Sequence, residues 1–122
     1  MTARNALYID AAGAVVSASM LTWVLPIYSD TVGMPRSVCY LLGIAPIVFV
    51  FWDFAHAFRA TASHARALKI VAYGNLTYCL LSLMAAAAHT STLTQIGWAY
   101  FVGEIVVVAA LAKWELRIAA ST

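Results

Sequence analysis

The sequence predicts an all-α integral membrane protein, a four-helix bundle of antiparallel up-down-up-down plan, and three observations carry that expectation. Of the 122 residues, 64% are hydrophobic and only 10% charged, against about 45–50% and about 25% in a soluble domain. Mean hydropathy is +0.87. The apolar residues also fall into four runs, each long enough to cross a hydrocarbon core of about 30 Å. No soluble segment can be cut out, so residues 1–122 are read as one domain.

The first run is residues 5–25, preceded by Arg4. A basic residue before an apolar stretch has the look of a secretory leader. Asp10 interrupts the apolar region, so the run is expected to stay as a first helix. Pro26 ends it, and Pro26 to Arg36 carries turn-formers at both ends. The second run, residues 37–58, contains Pro46, which removes one backbone hydrogen bond and is expected to kink the helix. Arg59 to Arg66 is a polar connection to the third run, residues 67–88. His89 to Thr94 is a short uncharged turn, and the fourth run is residues 95–116. With four helices and short turns, an up-and-down bundle is the natural packing.

Arg4, Arg59, Arg66, Lys69, Lys113 and Arg117 collect on one side, and Arg36 stands alone on the other. The positive-inside rule then puts both termini in the cytoplasm, as in a bacterial inner membrane. The formal charge of +2 comes with no basic run, which argues against nucleic acid. Cys39 and Cys79 lie at different depths and form no Cys-x-x-Cys pair, so two free thiols are expected.

The stretch Phe49 to Phe58 holds Asp53 and His56 among aromatic and aliphatic residues. An ionisable group inside a membrane helix is a functional-site hypothesis by default. Every helix carries such a polar residue. Asp10 lies about 8 Å inside its helix start and Asp53 about 9 Å before Arg59. Asn75 lies about 9 Å past Lys69, and Glu104 about 13 Å before Lys113. These depths place Asp10, Asp53, Asn75 and Glu104 in one slab. Helical spacing sets each on a small or hydrogen-bonding face, with Gly13 and Ser17, with Gly43 and Pro46, with Tyr78 and Ser82, and with Gly97 and Tyr100. Small residues mark the packed faces of membrane helices. The expectation is therefore one interior cluster, with Asp53, Glu104 and Asp10 as its acid–base groups. Three acids in a dry slab cannot all be ionised, so at least one is expected to hold a proton.

Plainer readings stand beside this one. Asn75 and Tyr78 serve equally as hydrogen-bonding glue between helices. Asp10, near the boundary, would also suit a solvated position or a pair with Arg59 or Arg66. Lys69 is expected to snorkel, or else to be the counter-ion of Asp53. Asn75, Tyr78, Tyr100, Trp52, His56 and Trp98 are the candidates for walling a pocket in which aromatic faces and acids hold a cationic or hydrophobic guest. No metal site is expected, because no H-E-x-x-H or comparable spacing occurs. No cofactor is expected either; His56 and His89 differ too much in depth for a bis-histidine haem.

The four-helix plan is similar in outline to the small multidrug transporters, with Asp10 in the place of their first-helix glutamate, but the surrounding residues do not reproduce their pattern. The four-helix membrane glutathione and eicosanoid enzymes have a similar length, and their basic, asparagine-and-glutamate motif is missing around Arg59 to Asn75. Three function classes follow from the residues. The first is binding or translocation of a proton, a cation or an amphiphilic cationic ligand, as a homodimer if it transports. The second is an intramembrane acid–base enzyme, an isomerase or cyclase on an isoprenoid-like substrate. The third is an accessory subunit without chemistry. A filled interior would favour the third and a blind pocket the second. A path open to one face would favour transport.

Overall fold

The structure is a computed structural model that describes residues 2–59 and 64–121. Residues 60–63, in the middle of the expected polar connection, lie outside the described residues. The described residues are all-helical, and four stretches are long and apolar enough to span a membrane: Ala3–Ile27, Arg36–Ala57, His64–Ala88 and Gln95–Ala120. The chain is a four-helix membrane bundle.

The first span is composite. Helix α1, Ala3–Ser19, starts at Thr2, whose hydroxyl accepts from the Asn5 amide at 3.2 Å and so satisfies one of the free amides of the first turn. It runs into a π-helical turn, Met20–Val24, and then into α2, Leu25–Ile27. The Thr22 hydroxyl bonds back to the Ala18 carbonyl at 2.6 Å within this widened turn. Helix α3, Ser29–Val32, ends at Gly33, whose φ of 82° is a left-handed cap that glycine adopts without strain. Helix α4 is Arg36–Ala57, α5 is His64–Ala88 and α6 is Gln95–Ala120. Pro46 sits inside an unbroken α4.

Packing is uneven, and this creates the site. Helix α1 packs most extensively on α4, and α5 on α6, whereas α1 and α6 meet sparsely. Gly43 lets α4 close on the π turn, since a Cβ there would lie 2.7 Å from Thr22 Cγ2. Each end of the bundle carries an aliphatic plug. At the end holding both termini it comprises Ala3, Ala6, Leu7, Ala57, Ala67, Leu68, Val71 and Ile118. At the opposite end it includes Leu21, Leu25, Val32, Met34, Leu42, Leu93 and Phe101. That second end is also stitched by its loops: Thr94 N donates to Val32 O at 3.1 Å and the Thr92 hydroxyl to Gly33 O at 3.0 Å. Both cysteines are free and buried.

Candidate functional site

Four helices contribute to one buried polar layer just beneath the plug at the termini. It contains Asp10 of α1, Asp53 of α4, Asn75 of α5 and Glu115 of α6. Asp53 and Glu115 are 0% exposed and Asp10 is 2% exposed. Asn75 organises the layer. Its Nδ2 donates to Asp10 Oδ1 at 2.8 Å and to Glu115 Oε1 at 3.1 Å. One amide NH2 has two hydrogens, so both are used.

The carboxyls also face one another. Asp10 stands within hydrogen-bonding reach of Asp53 and of Glu115. Among the described residues, no Lys, Arg or His side chain pairs with any of the three. Asp10 Oδ2, both Asp53 oxygens and Glu115 Oε2 find no donor. Two carboxyls can bond to each other only through a proton carried by one of them. Three carboxyls gathered in a dry layer with no cation beside them cannot all be ionised, so the trio holds at least one proton. Asn75 stabilises the remaining charge through its two donor hydrogens.

Glu104 belongs to a second polar group, nearer the middle of the bundle. Tyr78 donates to Glu104 Oε1 at 2.8 Å, and the Tyr100 hydroxyl lies beside the same carboxyl from one turn earlier on α6. Glu104 Oε2 has no donor. The single slab expected from sequence thus resolves into two levels, with Glu115 taking the place assigned to Glu104. The depth estimate measured Glu104 from Lys113 as the helix boundary. Helix α6 continues to Ala120 and carries Glu115 inward as a buried residue. Eleven residues of helix separate the two glutamates by about 16 Å. Glu115 was legible as sharing Glu104's face, but its neighbours Lys113 and Arg117 disguised it as part of a charged helix end.

One cavity of about 440 Å³ joins the two levels. Its polar lining is Asp10, Ser17, Asn75, Tyr78, Tyr100 and Glu104; no cation lines it. Its walls are Gly13, Ala14, Pro46, Phe49, Val108 and Leu111. Buried apolar clusters lie toward both ends of the bundle. It opens sideways, between α1 and α6, where Val16 is 63% and Val107 66% exposed on opposite lips. Gly103 is at this mouth, and a Cβ there would meet nothing within 4 Å.

The remaining candidates lie elsewhere. Asp53 does not touch the cavity but stands behind Asp10. Asp10 is neither solvated nor paired with Arg59 or Arg66, because its side chain points into the bundle toward Asn75. Lys69 is exposed and is no counter-ion to Asp53. The Trp52 and His56 rings meet at a 46° tilt with centroids 4.2 Å apart and line a separate hollow at the α4–α5 junction. Trp98 is half-buried against the far plug and lines no part of the acid cavity. Among the described residues no group of three or more His, Cys, Asp or Glu side chains has metal-holding geometry. The chain matches no family model, no curated protein and no solved structure.

Proposed function

We propose that the chain binds an amphiphilic basic ligand from the bilayer and exchanges a proton with it. One observation carries this reading: an apolar cavity of about 440 Å³ that meets carboxyls at two levels and is lined by no cation. The volume falls in the range of small-molecule sites, about 300–1,000 Å³. A neutral amine reaching Asp10 takes a proton that the trio shares. The nitrogen becomes an ammonium and the trio gains one negative charge, so the ion pair forms inside a dry site without either ion crossing lipid. The Tyr78 and Tyr100 rings offer π faces to the cation, and Asp53 and Glu115 stand behind Asp10 to reload it. The open, unfilled interior argues against a purely accessory role.

The probe is dodecylamine, with dodecanol as its uncharged counterpart, added to the purified full chain and read by native mass spectrometry. The amine should be retained over the alcohol. Its retention should rise with pH, because ammonium competes with protons for the same carboxyls. Asp10→Asn and Asp53→Asn should flatten that slope, and Glu104→Gln should weaken retention by about tenfold or more. Equal retention of both probes with a flat pH profile would overturn the reading.

A second reading has its own support. The trio holds at least one proton, whereas Glu104 is a single carboxyl receiving a hydrogen bond from Tyr78. An acid and a base facing one cavity are the requirement for moving a proton along a lipid-soluble isoprenoid-like substrate, as an isomerase or cyclase does. Deuterium appearing on carbon in membrane lipid extract incubated with the protein in D2O would select it. Translocation across the bilayer, and the dimer expected with it, is less well supported, because buried apolar clusters lie toward both ends of the bundle. The finer topology belongs to the same proposal. The helices alternate up and down with both termini cytoplasmic, supported by six Lys/Arg at one end against Arg36 at the other.

A further inference from the structure

The end of the bundle that carries the termini has an unbalanced surface. The chain has five acids. Asp10, Asp53 and Glu115 are buried in the trio, Glu104 faces the cavity, and Asp30 is at the opposite end in α3. Arg4, Arg59, Arg66, Lys69, Lys113 and Arg117 are all exposed around the terminal end. Among the described residues no Asp or Glu is left on that face to answer them.

The charge is concentrated at one place. A hollow of about 330 Å³ is lined by Trp52, His56, Arg59, His64, Arg66 and Ile70, together with Ala67, and by no acid. Its wall is held in shape. The Trp52 indole N–H donates to Ala67 O at 3.1 Å, and the Trp52 ring packs at a tilt against His56. His64 Nε2–H donates to Arg59 O at 3.0 Å, which ties the end of α4 to the start of α5. Crowded cationic groups with no internal partner form a site for an anion, and two guanidiniums are the donors best matched to phosphate oxygens.

We propose that this hollow binds the phosphate of an anionic lipid headgroup. A lipid fits better than free phosphate because Ile70, apolar and exposed, lines the hollow beside the cationic groups. The headgroup sits on Arg59 and Arg66, and an acyl chain runs past Ile70. This site is separate from the acid cavity and does not depend on what that cavity takes.

The test uses the full chain reconstituted in vesicles of equal phosphatidylglycerol and phosphatidylcholine, gently extracted, with retained lipids counted by native mass spectrometry. Phosphatidylglycerol should be enriched about tenfold or more over phosphatidylcholine. Arg59→Gln with Arg66→Gln should bring the ratio close to one. Lys113→Gln with Arg117→Gln removes the same charge from the same face outside the hollow and should leave the enrichment in place. Matching helicity in both double variants checks that they fold. Equal loss in both pairs would make the effect a diffuse surface field and overturn the site, as would no enrichment in the parent. Displacement of the lipid by excess inorganic phosphate would overturn the lipid assignment in favour of a free anion.

Discussion

Asn75 is the residue on which the acid layer turns. It is the neutral member of a layer that otherwise contains three carboxyls, and both of its donor hydrogens are committed to two of them. Replacing it with leucine keeps the branching and the number of side-chain heavy atoms and deletes both bonds. Buried bonds to charged groups are worth about 1.5–3 kcal/mol each. Asn75→Leu should therefore lower stability by about 2 kcal/mol or more, read as a shift in a denaturant or thermal midpoint. An unchanged midpoint would mean that the carboxyls satisfy one another without it. The sequence showed Asn75 as a polar interruption on a small-residue face, and its partners were not legible. Amide-to-carboxyl pairing depends on side-chain reach between α5 and its neighbours, which spacing along a single helix does not report.

At the scale of the element, the glycines divide by what they face. Gly97 opens α6 against the backbone of Val32, and a Cβ there would strike that carbonyl oxygen. The carbonyl cannot swing away cheaply, because Thr94 N bonds to it at 3.1 Å. Gly103, on the same helix, faces open space at the cavity mouth. Gly97→Ala should cost about 1–3 kcal/mol by overpacking, whereas Gly103→Ala should be neutral or stabilising by up to about 1 kcal/mol through helix propensity. Paired unfolding curves in one detergent would check both, and similar destabilisation by the two would contradict the placement of the mouth. The four apolar runs announced the elements plainly, because hydropathy over a membrane-spanning length is a strong and local signal. The ends were less legible. Helix α6 continues past residue 116 to Ala120, since Lys113 and Arg117 read as a boundary although both are exposed on a continuing helix. The π turn at Met20–Val24 left no mark in the sequence. Gly43 on another helix packs closely against it.

For the whole molecule, the account rests on a bundle plugged at both ends, split open along one side, and carrying protonated acid in its interior. The existence of polar interruptions was visible in the chain from Asp10, Asp53, Asn75 and Glu104. Their sorting into two levels was not, because it depends on how far α6 extends and on which helix pairs close. Unequal packing, tight for α1 on α4 and for α5 on α6, leaves the slot between α1 and α6. Such a slot suits guests already dissolved in the membrane. The most direct measurement is infrared spectroscopy of the purified chain at neutral pH, in the carbonyl-stretch region of protonated carboxyls. A band equivalent to at least one protonated side chain is expected, weakened in Asp53→Asn and in Glu115→Gln, since a dry cluster of three carboxyls without a cation cannot be fully ionised. Absence of that band at neutral pH would contradict the account, because the three acids would then be ionised and could not face one another in a dry interior.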